Sequence, residues 1–216
     1  MSDAGDGKPK GTERVRESGR VSVQVSRSGS VADYRSAFLS EMAEIDLTKV
    51  QEFIDLLVEA RATGRTVFVA GNGGSAATSS HFATDLGKGA SYEQPTRFRV
   101  VALTDSMSTL TAYANDVGFE VVFAEQLTNL AQAGDILVTI SGSGRSANII
   151  AAQNRAKEIG LIRVALTGFD GNLSGKLSEI HVNVPSEHMG RIEDAHMSIC
   201  HMVAFNFIDS EQHHTH

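Results

Sequence analysis

A chain of 216 residues, 41% of them hydrophobic, can bury a full core and suits one domain plus a tail better than two domains. A formal charge of -7 argues against a partner held by general electrostatics, so nucleic acid is not the expected ligand and a small molecule is. The one cysteine, Cys200, rules out an intrachain disulfide framework and reads as a buried helix residue; no apolar run approaches the length of a membrane span, and the polar N-terminus lacks the apolar stretch of a signal peptide, which makes a cytoplasmic location the expectation.

Residues 1–30, rich in Gly, Ser, Lys, Arg and Glu, read as a disordered arm, with a brief alternation at Val21–Val25 whose minority reading is a short edge strand. From Val31 to Ala62 apolar residues including Phe38, Met42, Val50, Phe53, Ile54 and Leu57 recur at helical spacing, which predicts one long or two shorter helices. After Gly64 come short β-branched runs at 66–70, 99–103, 135–140, 162–167 and 179–184, separated by helix-like segments. Apolar runs that alternate with helices predict an α/β fold, a doubly wound, flavodoxin-like parallel sheet of about five strands covered on both faces. The ending His213-His214-Thr215-His216 reads as a solvated tail, so the expected domain is 31–210 with a tail at 211–216.

In such a sheet ligands sit outside the carboxyl ends of the strands, where the strand order reverses. Three of the runs end in small polar residues. After the first comes Gly71-Asn72-Gly73-Gly74-Ser75, whose glycines permit close backbone approach to an anion and whose serine is placed to cap the next helix and donate to a phosphate. It is not a Walker loop, since Gly-Lys-Ser/Thr is absent, and the spacing does not match a dinucleotide fingerprint. Thr104 and Asp105 follow the second run, and Ser141-Gly142-Ser143-Gly144-Arg145-Ser146 follows the third, repeating the anion-binding logic with three hydroxyls. On the helix behind the first loop, His81 and Asp85 lie four apart on one face and offer an imidazole and a carboxylate to whatever the anion is attached to.

These segments, together with Leu166-Thr167-Gly168-Phe169-Asp170-Gly171 and the final helix, resemble the sugar isomerase (SIS) domain, most closely the phosphoheptose isomerases, over roughly Ser36 to Ile208. The resemblance implies an aldose–ketose isomerase that converts sedoheptulose 7-phosphate to a D-glycero-D-manno-heptose 7-phosphate. Carried over by position, it implies substrate contacts from Asn72, Gly73, Gly74, Ser75, Thr104, Asp105, Ser141, Gly142, Ser143 and Ser146, joined by Asp85 and Glu193. It also implies a metal, Zn²⁺ with Mn²⁺, Fe²⁺ or Co²⁺ as chemically suitable substitutes, held by His81, Asp85, Glu193 and His201. Asp85 and His201 fall at the family's base and acid positions, and a homotetramer with active sites between subunits is the implied assembly.

Several residues depart from the family pattern. Asp85 stands where the family has the longer Glu, Glu193 where it has Gln, and Gly89 and Gly190 where it places charged contacts, with Lys88 the nearest replacement for the first. Shortening a positioned base by about 1 Å costs on the order of 10²-fold in rate unless the backbone compensates. Glu193 and His201 are eight apart, about 12 Å of rise and roughly 80° of rotation on a straight helix, and Asp194 is a rival ligand more nearly in line with His201. Arg191 is placed either to reach a sugar hydroxyl or phosphate or to pair with Glu193 or Asp194, while His188 and His196 read as surface or interface residues. Two alternatives stay open: an isomerase of another sugar phosphate, and a non-catalytic SIS-domain regulatory or assembly protein.

Overall fold

A computed structural model describes residues 29–212 of the chain, so the Val21–Val25 alternation, the arm before it and the terminal histidines lie outside the described residues. Two helices, α1 (Val31–Ala43) and α2 (Leu47–Thr63), precede the sheet, which decides between one helix and two. The break falls where Asp46 adopts an extended conformation and its carboxylate accepts the Thr48 N–H, capping α2. Gly64, at φ 71°, closes α2 in the left-handed conformation.

The five strands are β1 (Thr66–Gly71), β2 (Arg99–Ala102), β3 (Ile136–Ser141), β4 (Ile162–Thr167) and β5 (Ile180–Asn183), all parallel in the order β2-β1-β3-β4-β5. Between them lie α3 (Gly74–Thr84), α4 (Met107–Asp116), α5 (Ala124–Leu130), α6 (Ala147–Ile159) and α7 (Asn172–Leu177), and α8 (Met189–Gln212) follows the last strand. The predicted doubly wound parallel sheet is therefore present, with strand limits within a residue or so of the apolar runs.

Along β1 successive side chains enter different cores. Val67 and Val69 join the cluster under α2, α3 and α8, built on Phe53, Leu57, Phe82, Ile199 and Val203; Phe68 and Ala70 join the cluster under α5 and α6, built on Phe123, Leu127, Ile149 and Ala152. Burial on both faces is why the central strands are continuous apolar runs rather than alternations. β2, at the sheet edge, is only partly buried.

His196 corrects the surface reading. On α8 it falls on the same stripe as Ile192, Ile199 and Val203, is 1% exposed, and has no hydrogen-bond partner of good geometry on either ring nitrogen among the described residues. Burial pushes its imidazole pKa from 6.5 down to about 4, with the Thr167 backbone opposing the shift. Because the unfolded chain takes up this proton at higher pH than the folded one, the group leaves stability intact above about pH 6.5 and removes it as pH falls toward about 4. Relative to His196→Leu, urea unfolding at about pH 7 and about pH 5 is expected to show about 2 kcal/mol of extra acid destabilisation in the parent protein. Equal pH dependence in the two would contradict the buried neutral imidazole.

Candidate active site

The strand order reverses between β1 and β3, so the loops after these two strands flank one crevice at the carboxyl edge of the sheet. Gly71 ends β1 in so tight a turn that a Cβ there would stand 2.5 Å from the Ser75 carbonyl oxygen, and Gly73 carries φ 56°. Gly73, not Ser75, holds the cap position of α3, and no side chain caps the helix: Ser75 is its second residue, 7% exposed, and its backbone N–H donates to the Asn72 carbonyl at 3.0 Å. The capping role expected for Ser75 thus falls to backbone: the Ser75 and Ala76 N–H groups donate to the Asn72 and Gly73 carbonyls, and the positive end of the α3 dipole faces the crevice.

The second loop turns on itself through its own hydroxyls. Gly144 N–H donates to Ser141 Oγ at 3.2 Å and Arg145 N–H to Ser143 Oγ at 3.3 Å, with Gly144 at φ 62°. Its outer side is braced by the segment after β4. Gly168 N–H donates to the Gly142 carbonyl, Ser174 N–H to the Gly144 carbonyl, and Asn172 Nδ2 to the Ser143 carbonyl at 3.0 Å, while Arg145 Nε donates to Asn172 Oδ1 at 2.7 Å. Asn172 takes φ 45°, and an Asn after Asp-Gly is the sequence signal for such a turn, although nothing local ties it to the Ser141–Ser146 loop. Ser146 opens α6 without a side-chain cap bond.

Between the two loops lies a cavity of about 300 Å³ lined by Asn72, Gly73, Gly74, Ser75, Ser141, Gly142, Ser143, Ser146 and Glu193. Thr104 and Asp105 are outside it. Asp105 accepts a hydrogen bond from Ser80, whose hydroxyl also lies 3.3 Å from that of Thr104, and it lines a larger groove of about 740 Å³ beside β2 together with Lys88. That groove, though larger, lacks the two glycine loops. Ser80, adjacent to His81, links the loop after β2 to α3, and no spacing in the sequence marks it.

Farther along α3, His81 meets Asp85 and His201. His81 Nε2 is 3.3 Å from Asp85 Oδ2, His201 Nε2 is 3.8 Å from the same oxygen, and the two Nε2 atoms are 3.2 Å apart. Asp85 begins a π-helical turn (Asp85–Gly89), in which the Ala90 N–H reaches back to the Asp85 carbonyl at 2.8 Å. The shorter carboxylate still reaches both imidazoles. Asp85 Oδ2 is buried and has no hydrogen-bond partner among the described residues, so three lone-pair donors converge on one point. Bonds of about 2.0–2.1 Å in a tetrahedral set separate ligand atoms by about 3.3–3.4 Å, close to the observed spacing, so a divalent transition metal fits.

Glu193 is not part of this triad. Its carboxylate lies 3.0 Å from the position a Gly74 Cβ would take, over the first turn of α3, where the helix dipole favours a negative charge. Asp194 is engaged elsewhere, accepting the Tyr34 hydroxyl at 2.6 Å, and Arg191 pairs with Glu41 at 2.9 Å, not with Glu193, Asp194 or the crevice. The Arg191 hydrogen bond holds the Glu41 carboxyl below the usual carboxylate range. Cys200 is fully buried as expected, and burial, reinforced by Asp85, pushes its thiol up, so it stays protonated beside the triad.

Comparison with known proteins adds a match to the SIS domain over residues 32–168. The chain belongs to the SIS domain family. Proteins similar to it include the phosphoheptose isomerase of Halorhodospira halophila, 46% identical over 66% of this chain and 74% of that protein. The phosphoheptose isomerase of Sulfurimonas denitrificans is 40% identical over 73% of this chain and 80% of its own length. The phosphoheptose isomerase GmhA from Neisseria gonorrhoeae superimposes with a TM-score of 0.76 at 33% identity, covering 83% of this chain and 97% of that one. No helix among the described residues of this SIS-domain chain is long and apolar enough to cross a membrane.

Proposed function

We propose that this protein is a phosphoheptose isomerase, a metal-dependent aldose–ketose isomerase that interconverts sedoheptulose 7-phosphate and D-glycero-D-manno-heptose 7-phosphate. The observation that carries the reading is the His81–Asp85–His201 cluster, in which His81 and Asp85 stand at the far end of the helix that the glycine loop opens and His201 joins them from α8. Seven residues from Gly74 to His81 amount to about 10 Å of helical rise, so an anion at the loops and a carbonyl at the cluster belong to one extended molecule. Relatives with the same name support the substrate.

The phosphate is held by Ser141, Ser143 and Ser146 between the positive ends of the α3 and α6 dipoles, with Ser75 beside them. Asn72 and Glu193 contact the sugar chain from the cavity, and Thr104 and Asp105 contact it from outside the cavity, in the loop after β2. Asp85 takes the proton from the carbon beside the carbonyl, and His201 returns a proton to the enediol. His81, Asp85 and His201 are the ligand set for Zn²⁺, with Glu193 held apart from them over the start of α3; when bound, the metal supplies a Lewis acid for the developing oxyanion.

A homotetramer in the cytoplasm completes the reading. Leu39 at 60%, Leu47 at 62% and Phe205 at 43% exposed put apolar surface on the N-terminal helices and on α8, as packing between copies requires.

The test is to chelate the purified protein, restore Zn²⁺, add sedoheptulose 7-phosphate and follow the aldose by proton NMR. Conversion only after metal is restored is the expected result. Metal binding with no conversion under Zn²⁺, Mn²⁺, Fe²⁺ or Co²⁺ would overturn the substrate.

A further inference from the structure

Asn72 does not face the crevice alone. Its Nδ2 donates to Asn148 Oδ1 at 2.8 Å, and Asn148 Nδ2 donates back to Asn72 Oδ1 at 2.9 Å, a closed pair of amides. Asn148 is the second residue of α6, two positions beyond Ser146, and is 2% exposed. Asn72 is half-buried and lines the cavity, whereas Asn148 does not. The pair therefore bridges the loop after β1 and the helix after β3, the two walls of the crevice.

An amide has two N–H donors and an oxygen with two lone pairs. The reciprocal pair uses one donor and one lone pair on each residue. It leaves Asn72 with one N–H and one lone pair in a fixed plane, and it meets the demand that buried Asn148 be hydrogen-bonded. We infer that Asn148 is a positioning residue, which sets the orientation of the Asn72 amide toward the sugar hydroxyls and locks the spacing of the two anion-binding loops. The assignment rests on the isomerase reading for its substrate, not for its geometry. Replacing Asn148 by Asp puts a carboxylate oxygen opposite Asn72 Oδ1, removing one bond and adding a repulsion at nearly unchanged volume.

Two measurements test it. The first needs no substrate: hydrogen exchange of the Asn72 side-chain amide, followed by ¹⁵N NMR, is expected to be slow in the parent protein and fast in Asn148→Asp. Fast exchange in the parent overturns the inference whatever the substrate proves to be. The second is a kinetic cycle with Asn72→Ala, Asn148→Ala and the double variant on sedoheptulose 7-phosphate. Asn148→Asp and Asn148→Ala are expected to raise KM about tenfold with a much smaller change in kcat, and Asn148→Ala to add nothing once Asn72 is Ala. Additive effects, or a loss confined to kcat, would mean that Asn148 only supports the fold. If the parent protein binds metal but converts no sedoheptulose 7-phosphate, the function reading fails while slow Asn72 exchange still upholds the pairing.

Discussion

Asp85→Asn is expected to lower kcat by about 10³- to 10⁴-fold while the protein keeps its fold, because the amide preserves shape but cannot take a proton. Asp85 Oδ2 stands 3.3 Å from His81 and 3.8 Å from His201, so the same change also weakens the metal set. The two effects separate in their concentration dependence. If the loss lies in metal affinity, raising Zn²⁺ restores rate; if it lies in proton transfer, saturating metal leaves the rate low. Steady-state assays across a Zn²⁺ series decide this, and kcat near the parent value at any metal concentration would remove Asp85 from the chemistry. Asp85→Glu is a useful companion. The longer side chain starts from a π-helical turn that already brings the shorter one within reach of both imidazoles, so it is expected to lower activity rather than improve it.

Gly144→Ala carries the largest expected stability effect at the loops. Its φ of 62° costs a side-chain-bearing residue about 1–2 kcal/mol, and a Cβ would stand 2.5 Å from the Gly171 carbonyl oxygen, a backbone atom held by the brace after β4. Overpacking of this kind adds about 1–3 kcal/mol, for a total of about 2–5 kcal/mol in urea unfolding. Gly64→Ala separates the two contributions: φ is 71° there, but no atom of the described residues lies within 4 Å of the added carbon, so only the backbone cost of about 1–2 kcal/mol is expected. Equal losses in the two variants would show that the contact with Gly171 is relieved by movement. In Gly144→Ala the loop must shift against Ser141, Ser143 and Ser146, and KM is expected to rise even where enough protein stays folded to assay.

The sheet was legible because its central strands are buried on both faces. Val67 to Ala70 and Ile136 to Ile140 have no solvent side to mark with polar residues, and such runs between helical segments fit little besides a covered parallel sheet. The glycine loops were legible for a local reason too: Gly71, Gly73 and Gly144 occupy positions where a Cβ would collide or the backbone turns left-handed. His81 and Asp85 could be paired from their spacing alone, since i and i+4 share a helix face.

What escaped sequence reasoning depends on distant partners. Asn148 and Asn72 are 76 residues apart and join only when the loops after β1 and β3 meet at the strand reversal. Placing Glu193 over Gly74 rather than in the triad follows from the roughly 80° that separates it from His201 on α8, a rotation the spacing had signalled. Arg191 and Asp194 were drawn to α1 by Glu41 and Tyr34, about 150–160 positions away, and no local pattern marks such pairs. His196 had a readable signal, its place on the Ile192, Ile199 and Val203 stripe, but polar identity argued the other way.

The central claim is that Asp85 and His201 isomerise a ketose through an enediol whose protons exchange with solvent. Running the reaction from sedoheptulose 7-phosphate in D₂O and reading deuterium at carbon 2 of the aldose by NMR tests it most directly. Deuterium appearing there in step with conversion, and both lost in Asp85→Asn, is the predicted result. Conversion with no solvent deuterium at that carbon, or undiminished incorporation by Asp85→Asn, would contradict it.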